Sequence, residues 1–194
     1  MKTMRSTLGT TCRIAALAIA AVATFHLGVP TVQAEPKDEM FVVDVAVDHE
    51  TFAIIPSTGL VLHPEAIGPN RGTPFIVDGK IFPGGTLETG PGVGDPSQSG
   101  SIGSWICRGT FTSTLGTEDI GFDTVQMFQF GDGNNIWTEG LEGGLGKIGV
   151  TTHRTIVGGT GRFRGAAGEV TQLALGTNVT GTPNIRLTFQ IVKH

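Results

Sequence analysis

Along residues 183–191 apolar and polar side chains alternate without a break. Ile185, Leu187, Phe189 and Ile191 fall in one parity, and Asn184, Arg186, Thr188 and Gln190 in the other. A period of two puts the two sets on opposite faces of a β-strand. The same period runs through residues 102–111, with Trp105, Cys107, Gly109 and Phe111 on one face and Ile106, Arg108 and Thr110 on the other. Across 122–130, Phe122, Phe128 and Phe130 share a parity, while Val125 and Met127 take the opposite one. Runs at 40–47, 73–77, 136–141, 148–157 and 169–175 are also rich in apolar and β-branched residues, and they bring the count to seven or eight strands. No stretch after residue 35 has the spacing of an amphipathic helix. Short strands joined by turns predict an all-β sandwich or barrel. Several strands carry apolar residues in both parities, which favours a barrel. One face fills or lines the interior, and the other is covered by loops or a neighbouring subunit.

The breaks in the pattern are as informative. Residues 56–72 are rich in proline and glycine and read as loop. Pro74 marks a sheet edge or a strand start, and Asp78-Gly79 reads as a turn. Residues 83–101 form the longest irregular stretch, the length at which a loop becomes a candidate lid over a cavity. Asp132-Gly133 predicts a tight hairpin. Glycine numbers 30 of 194 residues, spread between strands rather than clustered, as turns, bulges and barrel corners require. The densest group lies at 156–170, where Phe163 is the one large ring. Positive φ is expected at Gly158, Gly159 and Gly161, and close backbone approach at Gly165 and Gly168.

The first 34 residues follow another logic. Lys2, Arg5 and Arg13 give a basic start without acids, an apolar run follows from Ile14 to Val22, and Val32-Gln33-Ala34 supplies small residues for cleavage. This is the pattern of a cleavable export signal, and the run is too short for a permanent membrane span. The expectation is one domain over residues 35–194, secreted or periplasmic, with no stable membrane anchor after cleavage. The whole chain has a net charge of −4, and loss of the basic leader makes it more acidic. An acidic surface argues against nucleic acid as a partner. Of the two cysteines, Cys107 alone lies in the domain, so no internal disulfide can brace it.

Common catalytic and binding motifs fail on context. Gly144-Leu145-Gly146-Lys147-Ile148-Gly149 matches the dinucleotide pattern, but the residues that follow read as strand rather than helix. Asp48, His49, Glu50, His63 and Glu65 lack metal-ligand spacing, and no metal is expected. No Gly-x-Ser-x-Gly elbow is present, so a serine hydrolase is disfavoured. Asn178-Val179-Thr180 is a glycosylation sequon.

Two blocks carry a family resemblance. Residues 130–140, Phe-Gly-Asp-Gly-Asn-Asn-Ile-Trp-Thr-Glu-Gly, resemble a segment of plant allene oxide cyclases. Residues 158–170, Gly-Gly-Thr-Gly-Arg-Phe-Arg-Gly-Ala-Ala-Gly-Glu-Val, resemble a second segment of those cyclases and the corresponding segment of dirigent proteins. The resemblance covers residues 102–175 best. It implies an eight-stranded antiparallel β-barrel, allene oxide cyclase-like with lipocalin-like architecture, forming dimers or trimers. It also implies an apolar cavity that folds a small hydrophobic molecule into one conformer, without a cofactor. By position Cys107 matches the cysteine of plant cyclases, and Asp44 is the nearest candidate for their first-strand glutamate. These two are the candidate catalytic residues. Trp105, Phe111, Phe128 and Phe130 are the candidate ligand-binding lining. Three functions follow: an isomerase or cyclase, a non-catalytic carrier of a hydrophobic ligand, and a dirigent-like steering protein or structural barrel with a filled core.

Overall fold

The computed structural model describes residues 38–55, 61–62, 71–113, 121–143 and 147–193. The expected leader at 1–34, most of the 56–72 loop with His63 and Glu65, and Gly144 to Gly146 lie outside the described residues. Ten strands appear among them: β1 Glu39–Val47, β2 Ala53–Ile54, β3 Val61–Leu62, β4 Pro74–Pro83, β5 Gly103–Phe111, β6 Gly121–Gln129, β7 Asn135–Gly143, β8 Thr151–Gly159, β9 Ala166–Thr177 and β10 Pro183–Lys193.

Eight of these close into an antiparallel barrel. From β4 to β10 each strand pairs with its sequence neighbour, and β1 closes the ring by pairing with β10 on one side and β4 on the other. Barrel closure removes the exposed edges an open sheet would present. β1 meets β4 only along its second half, from Val47 opposite Gly79 to Val43 opposite Pro83. After β1 the chain makes one turn of 3-10 helix, His49–Thr51, started by Asp48, whose carboxylate accepts the Glu50 N–H at 3.1 Å. It then returns as β2 beside Phe75 and Ile76 of β4, with β3 added outside it. Pro74 therefore starts a strand, as its missing N–H allows. The turn expected at Asp78-Gly79 is not formed. β4 runs straight through it, because Gly79 packs so close to the Ala46 carbonyl that any side chain would collide there.

The inward parity is the one the alternation singles out. Val43, Val45, Phe75, Val77, Ile81, Trp105, Cys107, Phe111, Phe128, Ile136, Ile156, Val170, Ile185, Leu187, Phe189 and Ile191 form one buried cluster. A second cluster, Ala46, Phe82, Leu87 and Leu175, lies outside the wall. It exists because residues 84–94 lie flat on β1, β9 and β10 as a strap. Leu175 faces it by plain alternation with Leu173 and Ala174, and the register shift opposite Asn184–Ile185 then turns Gly176 outward as well. Of the outward apolar residues of β1, Ala46 lies in this second cluster, while Met40 and Val42 are exposed.

The two blocks that carried the resemblance clasp each other at one end of the barrel. The Thr160 hydroxyl donates to the Gly133 carbonyl at 2.6 Å, and the Arg162 N–H to Asn134 Oδ1 at 2.8 Å. Phe163, on a 3-10 turn, is fully buried against Phe41 and Phe130, with ring centroids at 5.8 and 5.5 Å. The Arg162 guanidinium lies 4.4 Å above the Phe163 ring. Gly161 is essential here: its φ is +59°, and a β-carbon would strike the Asn134 side chain. Two expectations for this segment exchange roles. Gly159 is needed for close approach to the Phe163 backbone, while Gly165 takes positive φ in open space.

Candidate functional site

The interior holds a polar cluster amid its apolar residues. Arg154 on β8 and Glu142 on β7 form an ion pair through Nη1 and Oε1, and both are almost completely buried. Arg154 is fully engaged. Its Nε donates to Thr138 Oγ1 at 3.0 Å, Nη1 to Thr124 Oγ1 at 2.7 Å as well as to Glu142, and Nη2 to the carbonyls of Thr124 and Thr138 at 3.0 and 3.4 Å. All five guanidinium N–H groups have acceptors. Glu142 Oε1 also accepts from Thr124 Oγ1 at 2.5 Å and Gln126 Nε2 at 2.7 Å, and its Oε2 accepts from Gln172 Nε2 at 3.0 Å. Gln126 Nε2 donates to Gln172 Oε1 at 2.9 Å, while its own Oε1 accepts the Trp105 indole N–H at 3.3 Å. Five strands, β5 to β9, contribute to this one network.

Burial costs the Arg154 guanidinium part of its proton affinity, lowering its pKa from the ordinary value against the opposing pull of Glu142. A buried pair of this kind is weak evidence for stability, since apolar residues of similar volume commonly do as well. Its presence in a small barrel therefore points to use.

The sequence-predicted residues divide into four places. Cys107 is buried beside the cluster, and Trp105 is hydrogen-bonded to it. Phe111 lies toward the end opposite the glycine clasp, in an edge-on group with Phe75 and Phe122 at 5.2 and 5.1 Å, where Phe52 also meets Phe75. Phe128 and Phe130 pack at the clasped end, Phe128 edge-on to Phe189 at 5.0 Å and Phe130 against Phe41 and Phe163. Asp44 is elsewhere. Its chain neighbours Val43 and Val45 face inward, so Asp44 faces the outer wall, under the strap.

There Asp44 is fully committed. Its Oδ1 accepts Arg186 Nε at 2.7 Å, and its Oδ2 accepts Arg186 Nη2 at 3.0 Å and the Leu87 N–H at 2.8 Å. Arg186 Nη2 also donates to the Leu87 carbonyl at 3.1 Å. Asn184 donates to the Val93 carbonyl at 2.6 Å, and the N–H groups of Gly90 and Gly92 donate to carbonyls of β9. Residues 84–94 are thus a strap nailed to the wall rather than a lid over a cavity mouth. Asp44 and Cys107 lie on opposite sides of the sheet and do not form one catalytic pair. Asp44→Ala is expected to cost about 3 kcal/mol, the cost of breaking a buried pair, and to expose the bond after Glu88. Digestion with a glutamate-specific protease checks it: the variant is cut there and the native barrel is not.

The Cys107 thiol is pushed well above its ordinary value, first by burial and second by the Glu142 carboxylate, with Arg154 opposing. It is a protonated thiol at neutral pH, not a nucleophilic thiolate. The folded state keeps this proton through the alkaline range where the unfolded chain loses it. Stability therefore falls as pH rises past the usual thiol range. Cys107→Val is expected to remove that part of the slope in urea denaturation at pH 8 to 10. The native thiol is expected to resist a disulfide reagent that labels the unfolded chain at once. The Asn178 side chain of the sequon is committed inside the fold: its amide donates to the Val47 carbonyl at 2.7 Å, from a buried position.

No protein-family model matches the sequence, and no curated protein matches it. Among solved structures it is similar to the pterocarpan synthase dirigent protein GePTS1, at 19% identity over 83% of this chain and 87% of that one, with a TM-score of 0.56. It is also similar to the pterocarpan synthase dirigent protein PsPTS1, at 19% identity over 83% of this chain and 98% of that one, with a TM-score of 0.55. A pyocyanin demethylase aligns over 77% of this chain and 98% of its own at 15% identity, with a TM-score of 0.48. The fold is a closed eight-stranded antiparallel barrel similar to that of these dirigent proteins. Identity this low establishes the fold alone.

Proposed function

We propose that this barrel binds one small, predominantly apolar molecule and orients it against the Glu142–Arg154 cluster. The observation that carries this reading is a hydrogen-bonded ion pair with its polar partners held inside a barrel whose other inward residues are apolar, a pair that apolar residues of similar volume commonly replace without loss. Apolar sites with a few convergent polar groups are the usual form of a small-molecule pocket. The half-buried Phe52 and Phe122 and the buried Phe75 and Phe111 form one aromatic group at the end opposite the glycine clasp, the end from which we propose the ligand enters. Binding and orientation need no thiolate at Cys107 and no carboxylate at Asp44. Native mass spectrometry of barrel purified without detergent tests the reading. A bound small apolar molecule, or uptake of one from a set of bicyclic aromatic compounds, is the expected result. A barrel that carries nothing and takes up nothing contradicts it.

Turnover, as in an isomerase or cyclase, is the second reading, and Glu142 favours it. Oε2 accepts one hydrogen bond against three at Oε1, so it retains capacity for a substrate proton or for developing positive charge. We also propose that the barrel works outside the cytoplasm, with residues 1–34 as its cleaved leader. Intact mass of the exported protein checks this: Glu35 is the expected first residue, and retention of the leader contradicts it.

A further inference from the structure

We infer that the ligand is a neutral molecule bearing a hydroxyl group, held by Thr152, Gln172 and Glu142, and that carboxylates are rejected. This deepens the small-molecule reading and rests on it. Among the described residues Thr152 Oγ1 is a buried side-chain oxygen without a hydrogen-bond partner. Thr152 lies on β8 in the inward parity of Arg154 and Ile156, directly across from Gln172 on β9. A buried hydroxyl left unpaired costs stability, so it marks a place where a polar atom belongs.

Its surroundings define which one. Gln172 spends one amide hydrogen on Glu142 Oε2, and its second is uncommitted. Glu142 Oε2 accepts that bond alone and keeps acceptor capacity. The corner thus offers a hydroxyl that donates or accepts, an amide donor and a carboxylate acceptor. A ligand hydroxyl matches all three, donating to Glu142 Oε2 while accepting from Thr152 or Gln172. A ligand carbonyl leaves Glu142 without a donor. A ligand carboxylate meets Glu142 with like charge and gains no compensation, because every N–H of Arg154 is taken. The rings of Phe75, Phe111 and Phe122 suit an aromatic body.

Calorimetric titration at pH 7 with 2-naphthol, naphthalene and 2-naphthoate tests this. The expected order is 2-naphthol at least tenfold tighter than either of the others. Thr152→Val is expected to weaken 2-naphthol by about threefold, Glu142 and Gln172 remaining, and to leave naphthalene unchanged, while Thr152→Ser keeps the full preference. Equal binding of 2-naphthol and naphthalene overturns the hydroxyl assignment and leaves the small-molecule reading standing, with an internal water as the partner of Thr152. Tight 2-naphthoate binding overturns the charge argument. Failure of all three to bind overturns both readings. The wild-type comparison decides even if a variant does not fold.

Discussion

Arg154→Met is expected to cost the barrel about 3–5 kcal/mol, the range for breaking a buried ion pair from one side. The cost comes less from the lost attraction than from what is left behind. Glu142 would remain nearly inaccessible, with Gln126, Thr124 and Gln172 as its only donors, and two threonine hydroxyls and two backbone carbonyls would lose their guanidinium partner. Glu142→Leu alone is expected to be as severe, since it strands the cation. Removing both charges is expected to recover most of the loss, because an apolar pair fills the same space without desolvation cost. Urea denaturation of the two single variants and the double variant gives the coupling directly, and strong non-additivity is the expected outcome. A double variant as unstable as the sum of its parts would show the network to be structural.

Phe163→Ala is the second large effect, at about 3–5 kcal/mol, the usual cost of deleting a fully buried phenylalanine ring. The site cannot collapse easily. Phe163 is wedged between Phe41 and Phe130, and its backbone is fixed by the clasp between Thr160, Arg162 and the 131–134 turn. For a domain of this size the melting temperature is expected to fall by roughly 10 °C. Thermal unfolding followed by circular dichroism measures it. Because Phe163 sits at the clasped end, the same variant is expected to leave 2-naphthol affinity within threefold of wild type.

The fold was legible because the alternation is nearly unbroken. The eight strands of the barrel lie where residues 102–111, 122–130 and 183–191 and their weaker companions alternate, and the inward face is the parity of Trp105, Phe128 and Leu187. The glycine segment and the 130–140 block pointed to the right barrel because they are one structural unit, the clasp that seals an end. The site was harder to see. Its signal was present as polar residues in core-facing positions: Thr124 and Gln126 between Phe122 and Phe128, Gln172 between Val170 and Ala174, Arg154 two residues before Ile156. A polar residue at a core parity reads locally as an imperfect strand. Only barrel closure brings β5 to β9 around one centre and turns such interruptions into a network. Asp44 shows the converse. Its candidacy came from its place on the first strand under the cyclase resemblance, and nothing local in the sequence says which face it takes; the strap that covers it outside the wall is seen only in the fold.

The central claim is that the interior cluster orients a ligand. The most direct test is the affinity of the Arg154→Met, Glu142→Leu double variant for 2-naphthol, measured where its folding is verified. A folded barrel that binds 2-naphthol at least tenfold more weakly than wild type is the expected result. A folded double variant with undiminished affinity would contradict it.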